Sequence, residues 1–309
     1  MSKFWKATVI PGLCCLAAGI VLAVILFVGF ADELREHADE FSINENNYFE
    51  LFETDLFMSS TRGGTRYGAS DTKESYEFTV PENEEIHGID FEFAVGEVDI
   101  KTGDKMELYV TDMFENAITS KVRNGIWYIE DSLMDSGSVH SDYSPEITIT
   151  IPEGMEFGKL EVHLAAGLLE ADELAAENVF LEVDAGSMKV FELTAMDALE
   201  LKNGVGEILV YDAEVKNVTV DNGIGAISLT GAVSGENKVK CGIGEVKLTL
   251  TDRTSVDFNY NVDCGIGEVE IDGKSYRGSA ECKNYDQSVA DSFELECGIG
   301  HIEIDVAGK

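Results

Sequence analysis

Residues 222–229 read NGIGAISL, and the same phrase returns four more times in the C-terminal half of the chain. The other copies are NGVGEILV (203–210), CGIGEVKL (241–248), CGIGEVEI (264–271) and CGIGHIEI (297–304). Their first glycines fall at positions 204, 223, 242, 265 and 298, which gives steps of 19, 19, 23 and 33 residues. Weaker copies begin at Ala166 and Ala185, and an earlier one, FAVGEVDI, begins at Phe93. Repetition at a short period indicates a stacked architecture.

Around each phrase, apolar residues occupy every second position along the chain, and at one point the interval lengthens from two residues to three. Near residue 222 the predicted inward set is Val218, Val220, Asn222, Ile224, Ile227 and Leu229; around residue 264 it is Tyr260, Val262, Cys264, Ile266, Val269 and Ile271. Alternation with period two is typical of a β-strand. The longer step over Gly225 predicts a corner where one strand ends and the next begins. About 19 residues are too few for a strand–helix–strand unit, so the phrase predicts an all-β domain.

The residues just before the phrase favour one β architecture over another. They are Asp184, Lys202, Asp221, Lys240, Asp263 and Glu296, so opposite charges alternate at most steps. In a β-solenoid, which is β-helix-like, equivalent side chains of successive coils lie about 4.8 Å apart, where opposite charges attract. A meander of antiparallel hairpins with Asn-Gly turns is the alternative, but it does not predict the alternation. We therefore predict a stacked β-solenoid.

The position that opens the phrase forms a column of compact residues. Its members are Ala166, Ala185, Asn203, Asn222, Cys241, Cys264 and Cys297. Two buried asparagines can satisfy each other by stacking their amides, and the cysteines can act as small apolar side chains. The pattern favours free thiols, although Cys282 could form a disulfide with Cys264 or Cys297 in an oxidising compartment.

The composition and the N-terminus bear on location. The chain has 309 residues with 22 basic and 59 acidic side chains, a net charge of -37, which argues against nucleic-acid binding. Residues 7–30 contain no charged side chain and are long enough to cross a bilayer as a helix, although a cleaved signal peptide is the alternative. Lys3 and Lys6 precede this segment, so the N-terminus is predicted to be cytoplasmic and the rest extracytoplasmic, with a charge of 20 - 59 = -39.

These features divide the chain into three parts. Residues 1–30 are predicted to be a cytoplasmic tip and one N-terminal transmembrane helix, residues 31–73 a spacer, and residues 74–309 the β-repeat domain. The stretch 74–150 is less regular, with a hairpin signal at Asn124-Gly125, and is predicted to form one end of the stack. Trp127 and Tyr128 are expected to be core or cap residues there, and a sugar-binding aromatic platform is the alternative.

No established catalytic motif is present. HExxH, GxSxG, the P-loop and paired CxxC motifs are missing, and the GxG pairs precede strands instead of the helix N-terminus that holds a dinucleotide phosphate, so we expect no enzyme activity. Glu245, Glu268 and His301 occupy equivalent outward positions in three repeats, which predicts a candidate site for a divalent cation; a solvated acidic face is the alternative. No other cofactor is expected.

The end of the chain bears on partners. The last predicted strand, residues 301–306, is followed by three residues and would leave an open sheet edge. Residues 272–290 are predicted to cover this edge; otherwise it would accept a strand from a protein partner or present a surface to a glycan.

With these glycine repeats and the N-terminal apolar segment, the chain resembles the bacterial putative-adhesin family of β-strand-repeat domains of unknown function. The resemblance covers residues 74–309 and includes ITITIPEGMEFGKLEVHLAAGLLEADEL, residues 147–174. It implies a membrane-anchored envelope protein with a stacked all-β fold and gives no catalytic residues. The predicted function is therefore a binding or structural module in adhesion or envelope sensing. The alternatives are a carbohydrate-active β-helix enzyme that uses surface carboxylates, and a regulator that binds another membrane protein.

Overall fold

The structure, a computed structural model, describes residues 73–134, 143–277, 280–284 and 286–307. The predicted transmembrane helix and almost all of the predicted spacer lie outside these residues. Within the described ranges no helix is long and apolar enough to cross a membrane. The regular structure there is β-strand, and the strands join into one sheet, as the alternating pattern predicts.

The strands are numbered in chain order. They are β1 (Lys73–Thr79), β2 (Gly88–Phe93), β3 (Gly96–Gly103), β4 (Glu107–Phe114), β5 (Ile118–Arg123), β6 (Ile126–Asp131), β7 (Glu146–Pro152), β8 (Phe157–Lys216), β9 (Val218–Ser234), β10 (Glu236–Leu250), β11 (Asn259–Cys264), β12 (Glu268–Ile271), β13 (Lys274–Arg277), β14 (Ala280–Asn284) and β15 (Ser292–Val306). Strand β8 has 60 residues. A straight strand of that length would measure about 200 Å. It turns instead at glycine corners and winds through several coils of the stack.

Successive coils pair in parallel and in register. Asn203 pairs with Asn222 between β8 and β9, and Asn222 pairs with Cys241 between β9 and β10. Strand β15 also runs parallel to β10, with Cys241 opposite Cys297. Equivalent residues therefore lie one above another, which confirms the predicted solenoid and excludes the antiparallel meander.

A column of stacked glycines forms the corner of the solenoid. Its members, in spatial order, are Gly96, Gly167, Gly186, Gly206, Gly225, Gly244, Gly300 and Gly267. A β-carbon added at Gly225 would overlap the carbonyl oxygen of Gly206, and the φ of Gly225 is 130°, a conformation that side chains disfavour. The same overlap recurs at each step from Gly167 onward. The corner thus requires glycine for two reasons, close approach of neighbouring backbones and backbone conformation.

The interior of the stack is filled by aliphatic side chains, and Trp127 is fully buried near its N-terminal end, as predicted, whereas Tyr128 is half-buried. Two residues of the predicted inward set do not face this core. Ile224 is 50% exposed and Ile266 is 83% exposed. Each lies between the two glycines of a corner, where the alternation of sides is interrupted and the intervening side chain points outward. Their placement in the core was wrong because period two does not continue through the corner.

The spatial order of the last coils differs from their order in sequence. Strand β15 lies between β10 and the coil formed by β11 and β12. The column therefore reads Cys241, Cys297, Cys264 in space. The expectation that neighbours along the chain are neighbours in the stack fails at this point, because the 33-residue excursion lets the chain leave the outermost coil and return beneath it.

Both ends of the stack carry antiparallel strands, and the outermost ones, β1, β5, β13 and β14, each pair with one neighbour within the described residues. At the N-terminal end β5 pairs with β6, β4 pairs with β7, and β1 pairs with β4. The hairpin between β5 and β6 turns at Asn124 and Gly125, both with positive φ, as the Asn-Gly signal predicts. At the C-terminal end β14 pairs with β11 and β13 pairs with β12. Residues 301–306 do not form the predicted open edge, because β15 is paired on both sides. Part of the predicted covering segment, residues 272–290, pairs instead with the outermost coil, as β13 on β12 and β14 on β11.

Candidate functional site

Charged side chains form a ladder along one outer face. In spatial order the residues before the phrase pair as Lys202 with Asp221, Asp221 with Lys240, and Lys240 with Glu296. The Nζ atom of Lys240 lies 2.9 Å from a carboxylate oxygen of Glu296. The predicted alternation of charge is confirmed for these steps. It ends at Asp263, which lies beside Glu296 and has the same sign.

The column of compact residues is buried as predicted. The Nδ2 atom of Asn203 donates to Oδ1 of Asn222 at 2.7 Å and to the carbonyl oxygen of Gly206 at 3.0 Å. Asn222 repeats the bond to the corner, donating to the carbonyl oxygen of Gly225 at 3.0 Å. Asn203 therefore links the corner at Gly206 to Asn222 in the neighbouring coil. This polar pair serves the fold and carries no reactive group.

The cysteines continue the column as buried side chains at Cys241, Cys297 and Cys264, and Cys241 and Cys297 are free thiols. The hydrogen bond with Cys241, together with burial, raises the pKa of the Cys297 thiol. A raised pKa keeps this thiol protonated and unreactive at neutral pH. The predicted structural role of the cysteines is confirmed for these three; the side chain of Cys282 lies outside the described residues.

The three residues of the predicted cation site lie on adjacent strands. His301 stands between Glu245 on one side and Glu268 on the other, because β15 lies between their coils. Glu268 already forms an ion pair with Arg277 at 2.8 Å, and the hydrogen bond from Arg277 lowers the pKa of the Glu268 carboxyl. A guanidinium thus stands where a second cation would have to approach. The cation site remains a prediction.

Among the described residues a different trio has ligand atoms close enough together to hold a metal ion. One ligand atom from each of His163, Glu182 and Asp184 lies within 4.8 Å of the others. The Nε2 atom of His163 is 3.1 Å from the Oδ2 atom of Asp184. Sequence reasoning missed this group. Its only sequence signal is that Glu182 follows His163 by 19 residues, one repeat length.

The C-terminal end of the stack contains a cleft of about 370 Å³. Its lining residues are Val256, Tyr260, Ile271, Asp272, Lys274 and Tyr276. The Oη atoms of Tyr260 and Tyr276 are 2.7 Å apart, and the ring centroids of the two residues are 5.9 Å apart. The Nζ atom of Lys274 lies 5.1 Å from the ring centroid of Tyr276. This cleft combines aromatic surface with both signs of charge.

A buried arginine fixes the loop that forms one wall of this cleft. Arg253 donates to the carbonyl oxygen of Val233 at 2.6 Å, and it forms ion pairs with Asp252 at 2.8 Å and Asp291 at 3.2 Å. Only 6% of its side chain is exposed. A guanidinium held by several acceptors cannot leave them without a large cost in free energy, so the loop that carries Val256 is anchored to the stack.

The glycine-cornered coils have a counterpart in a described family. The sequence profile of the family described as Toastrack DUF4097 matches residues 86–286, more than half of the chain. The chain belongs to this family. The Toastrack match begins just before β2 and ends between β14 and β15. It therefore includes the cleft residues, whereas the inserted strand β15 lies beyond it.

Solved structures that resemble this Toastrack protein are distant in sequence. A putative cell adhesion protein from Clostridium sporogenes is 18% identical with a TM-score of 0.38, and the match covers 76% of this chain and 100% of the other. A putative adhesin from Bacteroides fragilis is 16% identical with a TM-score of 0.35, covering 76% and 98%. A putative lipid binding protein from Parabacteroides distasonis is 13% identical with a TM-score of 0.24, covering 78% and 96%. Comparison with functionally curated proteins found no significant match.

Proposed function

We propose that this Toastrack chain is a single-pass membrane protein whose β-solenoid lies outside the cytoplasm and serves as a binding or structural module of the adhesin type. Residues 7–30, uncharged and preceded by Lys3 and Lys6, form the proposed membrane span. The acidic composition suits a domain that stays soluble beside a membrane with anionic lipids.

The observation that carries the proposal is the order of the strands across the sheet, which runs from β1 at one end to β14 at the other. The chain reaches the solenoid at Lys73, the first residue of β1. A tether before Lys73 would therefore hold the stack by the end that carries β1. The cleft at the C-terminal end of the stack is the candidate surface for a partner.

The antiparallel strands at both ends support a role as a discrete module. A solenoid with uncovered ends tends to associate end to end, and terminal capping strands prevent this. Here the edges of the outermost coils are covered by β4 and β5 at one end and by β13 and β14 at the other. The outer faces and the cleft are surfaces on which a partner could bind.

Protease treatment of intact cells that express the full chain tests the location. We expect an externally added protease to remove the solenoid, detected with an antibody against it, while a cytoplasmic marker protein stays intact. A variant without residues 7–30 serves as the control, because it should escape digestion until the cells are lysed. Survival of the full-length chain on intact cells would contradict the proposal.

The proposed role is non-catalytic, and this part has its own test. A glycan-cleaving enzyme that used the outward carboxylates would release reducing ends from polysaccharide. Such release, abolished by the double variant Glu245→Gln/Glu268→Gln, would overturn the proposal of a binding module in favour of an enzyme.

A further inference from the structure

The geometry points to the cleft lined by Tyr260, Asp272, Lys274 and Tyr276 as a binding site for one neutral sugar ring of a glycan. This inference rests on the proposed binding function and gives that function a ligand class and a location. The cleft lies at the outermost coil, formed by β11 and β12, on the side that β13 extends.

The cleft arises because β13 places polar side chains at positions that face the core in the other coils. Tyr276 lies opposite Val269 and Lys274 lies opposite Ile271, so both occupy the face of the sheet that packs inward in every coil below. Val269 pairs with Ile302 and Ile271 with Ile304 in the coil beneath. In place of two further aliphatic residues, β13 therefore presents a phenol and an ammonium group above the end of the core.

The aromatic residues give the cleft a surface that suits a sugar. Tyr260 and Tyr276 are joined through their hydroxyl groups, and their rings are inclined by 58° to each other. Phe258 contacts Tyr260 in an edge-to-face arrangement, with ring centroids 6.4 Å apart. The C–H groups on one side of a sugar ring pack well on such an aromatic face, while a tyrosine hydroxyl also forms hydrogen bonds.

The rim of the cleft supplies hydrogen-bonding groups of both signs. Asp272 occupies the turn between β12 and β13, where its backbone N–H donates to the carbonyl oxygen of Ile304 at 2.8 Å and fixes its position. Lys274 follows two residues later. A carboxylate accepts from sugar hydroxyl groups and an ammonium group donates to them. Because the chain carries a net charge of -37, an anionic ligand would be repelled, which favours a neutral sugar.

The dimensions agree with a ligand of this size. A cleft of about 370 Å³ lies near the lower end of the range of roughly 300–1,000 Å³ that is typical of small-molecule sites. It can hold one ring of a longer chain whose other rings remain in solvent. Binding of a single ring predicts weak affinity per site, which multiple copies on a cell surface would raise through multivalency.

The test is saturation-transfer NMR and calorimetry on the detergent-solubilised full chain with a panel of linear gluco-, galacto-, manno- and xylo-oligosaccharides. Two variants probe the cleft: Tyr276→Phe removes one hydroxyl, and Asp272→Asn removes the carboxylate charge while Asn still tolerates the positive φ of 47°. The matched controls lie in β4 at the opposite end of the solenoid. They are Tyr109→Phe, an exposed tyrosine, and Asp112→Asn, an aspartate with a φ of 55°.

We expect saturable binding of at least one oligosaccharide, weakened about tenfold or more by each cleft variant and less than about twofold by each control. Circular dichroism should show unchanged folding in all four variants. Binding that the cleft variants do not alter would overturn the assignment of this cleft and leave the binding function intact. No binding of any panel member would overturn the sugar ligand, whereas the proposed location is decided separately by protease treatment of intact cells.

Discussion

Lys240 and Glu296 form an ion pair of 2.9 Å although Asp263 and the whole of β11 to β14 come between them along the chain. In a stack that followed sequence order, Lys240 would instead lie beside Asp263. The ion pair therefore forms because β15 lies between β10 and the outermost coil. Lys247, which follows the glycine corner in β10, also forms ion pairs across to β15, with Glu303 at 2.7 Å and with Asp305 at 2.9 Å.

Zero-length cross-linking tests this coil order directly. A carbodiimide joins an ammonium and a carboxylate only when they are in contact, so we expect mass spectrometry to find Lys240 linked to Glu296 and Lys247 linked to Glu303 or Asp305. The intact, folded chain is used, and a chain treated in denaturant is the control. Links from Lys240 to Asp263 in place of Glu296 would show that the coils follow sequence order.

Substitution of a corner glycine should be severely destabilising. For Gly225→Ala we expect a loss of at least about 3 kcal/mol in the free energy of unfolding, or no folding, because the new methyl group would overlap the backbone of Gly206. Gly154→Ala is the control: Gly154 also has a positive φ, 69°, but a β-carbon there meets no atom within 4 Å. It should cost only about 1 kcal/mol. Equal losses in urea unfolding would contradict the close approach of the coils.

The asparagine pair in the column should behave as a coupled unit. Removing the Asn222 amide takes away one of the two acceptors of the Asn203 amide and the bond from Asn222 to the carbonyl oxygen of Gly225, so we expect Asn222→Ala to lower stability by about 2–3 kcal/mol. A double-mutant cycle with Asn203→Ala should give a coupling free energy of about 1 kcal/mol. Urea unfolding of the four proteins measures it, and additive losses would mean that the two amides do not interact.

The charge ladder makes stability depend on pH. The hydrogen bond from Lys240 lowers the pKa of the Glu296 carboxyl below its ordinary value of 4.5. A carboxyl whose pKa is lower in the folded state stabilises the protein above its unfolded pKa, and this contribution is lost as pH falls through the folded value.

We therefore expect Glu296→Gln to cost up to about 1 kcal/mol at neutral pH, the range for a partly exposed ion pair. The difference from the unchanged protein should shrink as pH falls below the ordinary carboxyl value of 4.5. Unfolding midpoints in urea across a pH series measure this effect. Glu153→Gln, in the exposed turn after β7, is the control and should show no such trend. A deficit in Glu296→Gln that stays constant down to acid pH would contradict a role for the ion pair.

Particular residues show how much of the fold and of the site could be predicted from the sequence. The charge alternation and the asparagine column predicted parallel stacking correctly, because both depend on what one coil places above the next. The prediction that Ile224 and Ile266 face the core was wrong. At the corner the backbone of each glycine approaches the glycine of the adjacent coil, and the side chain between the two corner glycines points outward. The cleft had no sequence signal, because Tyr260 and Tyr276 meet only through the fold of the hairpin between β12 and β13.

The all-β solenoid follows from the local pattern of residues alone. In every coil, apolar residues alternate with period two and a glycine interrupts the alternation. Because the same local pattern recurs many times, it leaves little choice of local structure. The order of the last coils and the antiparallel pairing at both ends depend instead on tertiary contacts. Equivalent repeats carry nearly the same apolar residues, so they can stack in more than one order with similar burial. The order is set by the long excursion before β15 and by contacts such as Lys240 with Glu296, which join residues far apart in the chain.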